Sequence, residues 1–439
     1  MHDSRSPSPR PVLLAGGRVL DPSRDLDIKA DLLIADGVIK DIASGLSSEG
    51  LPEGTEIVDC RHRIVVPGLV DMRAFIGEPG AEHRETLASA SQAAAAGGVT
   101  TIICQPDTDP IIDDPAIVDF VKRRARDTAI VHVHPMAALT KGMEGREMTE
   151  IGLLSAAGAV AFTDANHSIA SAQVLRRALT YAREFNALIV HHTEDADLTG
   201  AGVMNEGELA SRLGLAGIPR AAETIVFERD VRLAAMTRGR YHAASLTCPD
   251  SLDVLRRAKE AGLAVTASAS INHLTLNERD VVGYRTFFKV APPLRDEDDR
   301  RALVSALAEG LIDVVVSDHN PQDVEVKRLP FSEAAFGAIG LETMLAAGLR
   351  LVNDGSLDLM TLIRAMSTRP AELLGLPAGT LRPGRSADIA VIAPDEAWLL
   401  DAAQLKSRCR NTPFDEARFE GRVVRTLVSG RTVLISTEI

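Results

Sequence analysis

Short apolar runs alternate with amphipathic segments through the middle of the chain. The intervening segments, such as "RETLASASQAAAAGG" and "SLDVLRRAKEAG", carry apolar residues at helical spacing and often close on Gly. Repeated strand–helix units of this kind predict an α/β fold, a (β/α)8 TIM barrel over residues 67–380, with its chemistry at the C-terminal ends of the strands. The eight strand-like runs are "GLVDMRAFI", "VTTIICQP", "AIVHVHPMAAL", "AVAFTD", "LIVHHTED", "RYHAASLT", "LAVTASAS" and "IDVVVSDHN".

The two ends of the chain have a different pattern. Residues 11–66 and 381–439 consist of short strand-like runs with tight turns, and Asp36-Gly37 is a strong two-residue hairpin signal. We expect the two pieces to meet as one small β-sandwich domain. Residues 1–10, "MHDSRSPSPR", are expected to be disordered.

Composition narrows the class of protein. The net charge of -13 makes nucleic acid and anionic membranes unfavourable partners. Neither an apolar signal-peptide core nor a run of about 18 apolar residues is present in the sequence, so we expect a cytoplasmic protein without a membrane span. Four widely spaced cysteines without a CxxC pair argue against a disulfide framework and fit a reducing compartment.

One stretch raises a functional question. In "DMRAFIGEPG", Arg73 and Phe75 lie two residues apart, so their side chains share one face of a strand that reaches the barrel mouth. The segment has the form of a metal-binding strand end. A guanidinium stays protonated and a benzyl ring has no lone pair to offer, so neither residue can bind a metal.

Several longer stretches carry a family resemblance in shared order and spacing: "PGLVDMR…EPG", "EHRETLASASQAAAAGGVTT", "HTED", "EGELASRLGLAGIPRAAE", "VAPPLRDEDDRRALVSALAEGLIDVVVSDHNP", "FGAIGLET" and "NTPF". From about residue 12 to 432 the chain resembles a dihydroorotase of the amidohydrolase superfamily, in the branch whose members associate with aspartate transcarbamoylase. The resemblance implies a reversible cyclisation of carbamoyl aspartate to dihydroorotate, in de novo pyrimidine biosynthesis, by water activated at a zinc centre. Such chemistry needs a Lewis acid and cationic or amide groups that hold the substrate carboxylate.

The resemblance also implies which residues would do this, and several positions have changed. Active members end the first strand in HxH, followed two residues later by a substrate-binding Arg. Here these positions hold Arg73, Phe75 and Gly77. A further histidine ligand on the sixth strand is replaced by Ser245, and a neutral hydroxyl is a poor zinc ligand.

Three more substrate-contact positions implied by the resemblance are altered. The "PNT" motif has become "PDT", which places Asp107 where an amide would contact an anionic substrate. "NPPLR" has become "APPLR" with Ala291, and the last histidine of "DHAPH" has become Gln322. We therefore expect no intact substrate-binding set.

Three functional positions implied by the resemblance are retained. Asp164 stands for a bridging carboxylate, His192 for a histidine ligand, and Asp318 for the catalytic base and metal ligand. Each also has a structural interpretation, since Asp at strand ends often caps turns and a buried His is often simply hydrogen-bonded. The spare histidines at the same face are His191, His273 and His319.

Three hypotheses follow. The first is a catalytically inactive homologue without cofactor, a homodimer within a larger hetero-oligomer that structures the aspartate transcarbamoylase catalytic subunit. The second is an active dihydroorotase or related cyclic amidohydrolase with a rebuilt zinc site on Asp164, His192, Asp318 and a recruited histidine. The third is a metabolite-binding module. In an empty site, Arg73 is further expected to pair with Asp164 or Asp318.

Overall fold

The computed structural model describes residues 9–48 and 50–436. Residues 1–8 of the segment expected to be disordered lie outside the described residues. No helix in the described ranges is both long and apolar enough to cross a membrane.

The strands fall into two groups, those of the chain ends and those of the middle. They are β1 (Val12–Asp21), β2 (Leu26–Ala35), β3 (Val38–Ala43), β4 (Glu56–Asp59), β5 (Ile64–Pro67), β6 (Leu69–Ala74), β7 (Val99–Cys104), β8 (His132–Pro135), β9 (Leu188–His192), β10 (Met204–Asn205), β11 (Gly217–Ile218), β12 (Arg240–Ala244), β13 (Val265–Ser270), β14 (Val314–Val316), β15 (Ile389–Leu399), β16 (Arg418–Val428) and β17 (Arg431–Ile435).

The α-helices lie in the middle of the chain, between and after the strands of the second group. They are α1 (Leu87–Ala96), α2 (Pro115–Thr128), α3 (Ile151–Ala157), α4 (Ala172–Arg183), α5 (Ala196–Thr199), α6 (Glu208–Leu213), α7 (Arg220–Thr237), α8 (Pro249–Glu260), α9 (Ile271–Thr275), α10 (Glu297–Ala308), α11 (Val324–Lys327), α12 (Met344–Asn353), α13 (Leu359–Ile363) and α14 (Arg369–Leu374). A π-helical turn, Arg364–Thr368, joins the last two.

Parallel strands close into the predicted barrel. β6, β7 and β8 form one sheet, and β9, β12, β13 and β14 form another. Phe162, within the predicted strand "AVAFTD", forms bridges to Ala137 on one side and to Ile189 on the other. This segment lies between β8 and β9 and brings the number of barrel strands to eight. A bridge between Ala74 and His319 joins the last strand to the first. The TIM barrel predicted from the sequence is confirmed.

The chain ends pair as one sheet of eight strands. Its order is β17-β16-β15-β5-β1-β2-β3, with β4 beside β1. Asp36 and Gly37 both have positive φ and form the predicted hairpin turn between β2 and β3. Side chains of β1, β2, β5, β15 and β16 share a hydrophobic cluster separate from the barrel core. The small β-sandwich built from both chain ends is therefore confirmed, while the boundaries at residues 66/67 and 380/381 stay predictions.

Helix starts follow local sequence signals. α1 begins after Thr86, whose hydroxyl accepts from the Ser89 N–H in a capping box. α10 begins after Asp296, whose carboxylate accepts from the Asp299 N–H. Fixed helix starts of this kind set the lengths of the loops at the barrel mouth, by which we mean the C-terminal ends of the barrel strands.

Candidate functional site

A buried ion pair occupies the first-strand position. Arg73, in β6, donates from Nε to Asp318 Oδ1 at 2.9 Å, and from Nη2 to Asn166 Oδ1. The Arg73 side chain is 6% exposed and that of Asp318 is 12% exposed. The predicted pairing of Arg73 is thus confirmed for Asp318. A fixed positive charge therefore stands beside the Asp318 carboxylate.

Asp164 is engaged elsewhere. Its Oδ1 accepts from the backbone N–H groups of Leu139 and Thr140, each at 2.9 Å, and its Oδ2 accepts from the Thr140 hydroxyl. Burial raises the pKa of Asp164, and these donors oppose the shift. Both oxygens hold the loop after β8, so the contacts favour the structural interpretation of this aspartate.

Phe75 is covered by an arginine. The guanidinium carbon of Arg84 lies 3.9 Å from the centroid of the Phe75 ring. Arg84 is held there by the Pro321 carbonyl at 2.9 Å and by Asn320 Oδ1 at 2.8 Å. A cation over an aromatic face is attractive, and more so away from water. The Phe75 position, which the resemblance implies for a second ligand, is therefore part of a packed contact.

Gly77 lies in a turn too tight for a side chain. The Ala81 N–H donates to the Gly77 carbonyl at 2.5 Å, and a Cβ on Gly77 would lie 2.2 Å from the Ala81 carbonyl oxygen. Carbon and oxygen do not approach so closely. Restoring an arginine at this position would require the 77–81 turn to move.

The other altered substrate positions also have local roles. Gln322 donates from Nε2 to Asn320 Oδ1 at 3.0 Å and to the Phe336 carbonyl at 2.8 Å, which fastens the loop after β14. Ala291 precedes a cis proline, Pro292. Asp107 is half-buried, and its Oδ1 is shut off from solvent without a hydrogen-bond partner in the described part of the chain.

The histidines differ in what their ring nitrogens meet. His191 is saturated, with Nδ1 at 2.7 Å from Asp230 Oδ2 and Nε2 accepting from the Ile169 N–H at 2.8 Å. His319 Nδ1 accepts from the Gly340 N–H at 3.2 Å, and its Nε2 lies 3.4 Å from Glu85 Oε2. Both ring nitrogens of His191 are therefore engaged, whereas His319 Nε2 makes no hydrogen bond within the described ranges.

Three other histidines each keep one uncommitted nitrogen. His192 Nε2 lies 3.7 Å from Glu194 Oε2, His242 Nδ1 shares a hydrogen bond with Thr266 Oγ1 at 2.8 Å, and His273 Nε2 lies 3.0 Å from the Pro292 carbonyl. Their second nitrogens are buried without partners among residues 9–48 and 50–436. Burial lowers the pKa of His242 to about 4, so this ring is neutral at pH 7.

Ser245 and Asn272 extend the set of uncommitted groups. The Ser245 hydroxyl and both amide atoms of Asn272 are buried and have no partner within the described ranges. Sequence reasoning missed Asn166, Arg84 and Asn272. Asn166 follows Asp164 by two residues in "AFTDAN", which was the available signal, whereas Arg84 reaches the mouth only because of the loop's path.

The chain is similar in sequence to curated dihydroorotases along nearly its whole length. It is 42% identical to the "Dihydroorotase" of Syntrophus aciditrophicus (strain SB), covering 96% of this chain and 99% of that protein. It is 41% identical to that of Citrifermentans bemidjiense, with the same coverage. A "Dihydro-orotase-like" family model matches residues 62–251. The chain belongs to the dihydroorotase family.

Among solved structures, this dihydroorotase-family chain is similar to an L-hydantoinase (dihydropyrimidinase) from Arthrobacter aurescens. The two share 27% sequence identity with a TM-score of 0.88, covering 98% of this chain and 97% of the other. The similarity spans both the barrel and the sandwich of the chain ends.

The zinc centre implied for the family does not fit the residues of this chain. The first two ligand positions hold a guanidinium and a phenyl ring, and the Asp318 carboxylate is paired with that guanidinium. Among residues 9–48 and 50–436, no group of three or more His, Cys, Asp or Glu is placed to hold a metal ion. The prediction that no cofactor binds remains a prediction.

Proposed function

We propose that this dihydroorotase-family chain does not catalyse the family's reaction and instead acts as a structural subunit in an aspartate transcarbamoylase assembly of pyrimidine biosynthesis. The Arg73–Asp318 ion pair carries the catalytic half of the proposal. It places a permanent cation against the carboxylate that the resemblance assigns as catalytic base. Asp318 Oδ1 accepts from the Arg73 Nε–H at 2.9 Å, so this oxygen is engaged by the guanidinium.

The surroundings of this pair support the same conclusion. Phe75 and Arg84 pack against each other where a second ligand would stand, and the turn at Gly77 has no room for a side chain. Catalysis would need both an activated water and a held substrate. The Phe75–Arg84 contact hinders metal binding, and the tight turn at Gly77 hinders substrate binding.

The catalytic half is tested by zinc analysis and turnover. The purified chain is expected to carry less than one equivalent of zinc and to convert neither dihydroorotate nor carbamoyl aspartate, beside an authentic dihydroorotase as control. Stoichiometric zinc together with turnover that Asp318→Ala abolishes would overturn the proposal.

The partner half rests on the family resemblance and on an otherwise intact chain. The barrel closes, and the segment "EGELASRLGLAGIPRAAE" is held by buried hydrogen bonds from Arg295 to the Ile218 carbonyl within it and to Asn205 just before it. We expect this chain to copurify with the transcarbamoylase and to increase its size and stability. A transcarbamoylase of unchanged mass and activity in the absence of this chain would refute the assembly role.

A second candidate is an active dihydroorotase with a rebuilt metal site. The observation in its favour is the 42% identity, over nearly the whole chain, to a protein named dihydroorotase. His192, His242 and His273 could each turn a buried nitrogen to a metal, but Arg73 would first have to leave Asp318. Zinc-dependent turnover that survives Arg73→Gln would favour this candidate.

A further inference from the structure

The Arg73 guanidinium is only partly satisfied by the protein. Arginine has five N–H donors. One, on Nε, meets Asp318, and Nη2 meets Asn166. Nη1 is buried and has no hydrogen-bond partner in the described part of the chain. A buried charged donor left unpaired is costly, so another group is expected to meet it.

Two unpaired acceptors lie on the neighbouring strand end. Asp107 Oδ1 and Gln105 Oε1 are both buried without partners among the described residues. Gln105 directly follows β7, and its backbone N–H donates to the Ala74 carbonyl at 3.0 Å, which places it beside the residue after Arg73. Burial raises the pKa of Asp107, and the charges of Arg73 and Arg84 act in the opposite direction. The donor and the acceptors therefore lie at the ends of two paired strands, β6 and β7.

The segment just after β13 carries neutral groups. Asn272 follows β13 with both amide atoms unpaired within the described ranges, and His273 follows it. Burial lowers the pKa of His273, and the carboxylate of Asp318 opposes this shift. Cationic, anionic and amide groups without partners thus occur together at the barrel mouth.

We propose that the barrel mouth binds a free amino acid without a metal, with the ligand's carboxylate on Arg73 Nη1 and its ammonium group on Asp107 and Gln105. Each charged end of the ligand meets a buried atom of opposite character that the protein leaves unpaired. A simple dicarboxylate would place negative charge against Asp107, and a simple amine would leave Arg73 unpaired. This binding role rests on the proposed absence of catalysis, since it needs the Arg73–Asp318 ion pair to stay in place.

Asp107 gives this proposal its specificity. The resemblance implies an asparagine at this position, and an amide would not prefer an ammonium group. The carboxylate is therefore expected to act as a selectivity residue for ligands with a cationic nitrogen.

The test is calorimetric titration of the full chain, in excess EDTA, with each standard amino acid, with succinate and with carbamoyl aspartate. At least one amino acid is expected to bind with a Kd below about 1 mM, and succinate is expected not to bind. Asp107→Asn should weaken that binding by about tenfold or more. Asp109→Asn, an exposed position in the same loop, is the matched control and should leave the Kd unchanged.

Three results would overturn the inference. One is no binding of any standard amino acid at about 10 mM, which would mean that water alone meets these atoms. Another is equal binding to the wild type and Asp107→Asn. The third is binding of carbamoyl aspartate alone. Zinc-dependent turnover would instead overturn the absence of catalysis, and that assay is read separately from these titrations.

Discussion

Two buried arginines in this barrel have opposite surroundings. Arg295 donates to Thr247 Oγ1 at 3.0 Å, to Asn205 Oδ1 at 3.0 Å and to the Ile218 carbonyl at 2.7 Å. Arg73 is equally buried, at 5% exposure against 4% for Arg295, but its Nη1 meets no partner among the described residues. The two arginines are similarly buried but differ in how many of their N–H groups have hydrogen-bond partners. This difference distinguishes a structural arginine from one at a candidate binding site.

The partners of Arg295 are themselves bound. Asn205 Nδ2 donates to Glu278 Oε2 at 2.7 Å, and the Thr247 N–H donates to Glu223 Oε1 at 3.0 Å. This network joins the loop around β10 and β11 to the barrel. A closed network of this kind serves folding, whereas open atoms such as those around Arg73 are where a ligand or water has to complete the hydrogen bonding.

Removing Arg295 should have the largest effect on stability. Arg295→Met is expected to lower the free energy of unfolding by about 3–5 kcal/mol, because it breaks a fully buried polar network. Urea unfolding measures this change. The control Arg301→Met, at a side chain 68% exposed, should change stability by no more than about 0.5 kcal/mol. Equal effects of the two changes would contradict the structural assignment of Arg295.

The mouth should show its own pH dependence. Burial lowers the pKa of His242 from 6.5 to about 4, so the unfolded chain binds a proton there before the folded chain does. The contribution of His242 to the free energy of unfolding is fully present above pH 6.5. It is lost as the pH falls toward 4, by up to about 3 kcal/mol. His242→Gln should flatten unfolding curves measured across this range. The exposed His62→Gln should leave the slope as it is.

Removing Arg73 should cost less than removing Arg295. Arg73→Leu strands the Asp318 carboxylate, but that side chain keeps 12% exposure and the change also removes an unpaired donor. We expect a loss of about 2 kcal/mol, partly recovered in Arg73→Leu/Asp318→Leu. Chemical denaturation of the single and double variants measures the coupling. Additive losses would argue against the ion pair.

The smallest expected effect is on turnover. Arg73→His, Phe75→His and Ser245→His together should increase zinc binding without producing measurable dihydroorotase activity. Gly77 cannot carry a clamp in its present turn, and Asp107 and Ala291 remain. Zinc analysis and a turnover assay of the triple variant provide the comparison. Activity near that of an authentic dihydroorotase would show that the substrate contacts matter less than the metal.

Much of the fold was accessible from the sequence. The apolar periodicity predicted the barrel strands, including the segment around Phe162, which the structure ties in by single bridges on each side. The Asp36-Gly37 signal predicted its hairpin because it depends only on local backbone preferences. The altered positions at the mouth were likewise recognisable, since residue type alone excludes Arg73 and Phe75 as metal ligands.

What the altered residues do instead depended on the tertiary structure. Pairing of Arg73 with Asp318 rather than Asp164 was open from the sequence, because it requires strands far apart in the chain to meet. Loop paths also decide that Arg84 packs on the Phe75 ring. They likewise bring the backbone N–H groups of Leu139 and Thr140 to the Asp164 carboxylate. Sequence by itself determined which side chains at the mouth are unable to bind a metal, because that depends on their functional groups. Only the packed barrel decided which of those groups have hydrogen-bond partners and which do not, because hydrogen bonding depends on the distance between atoms.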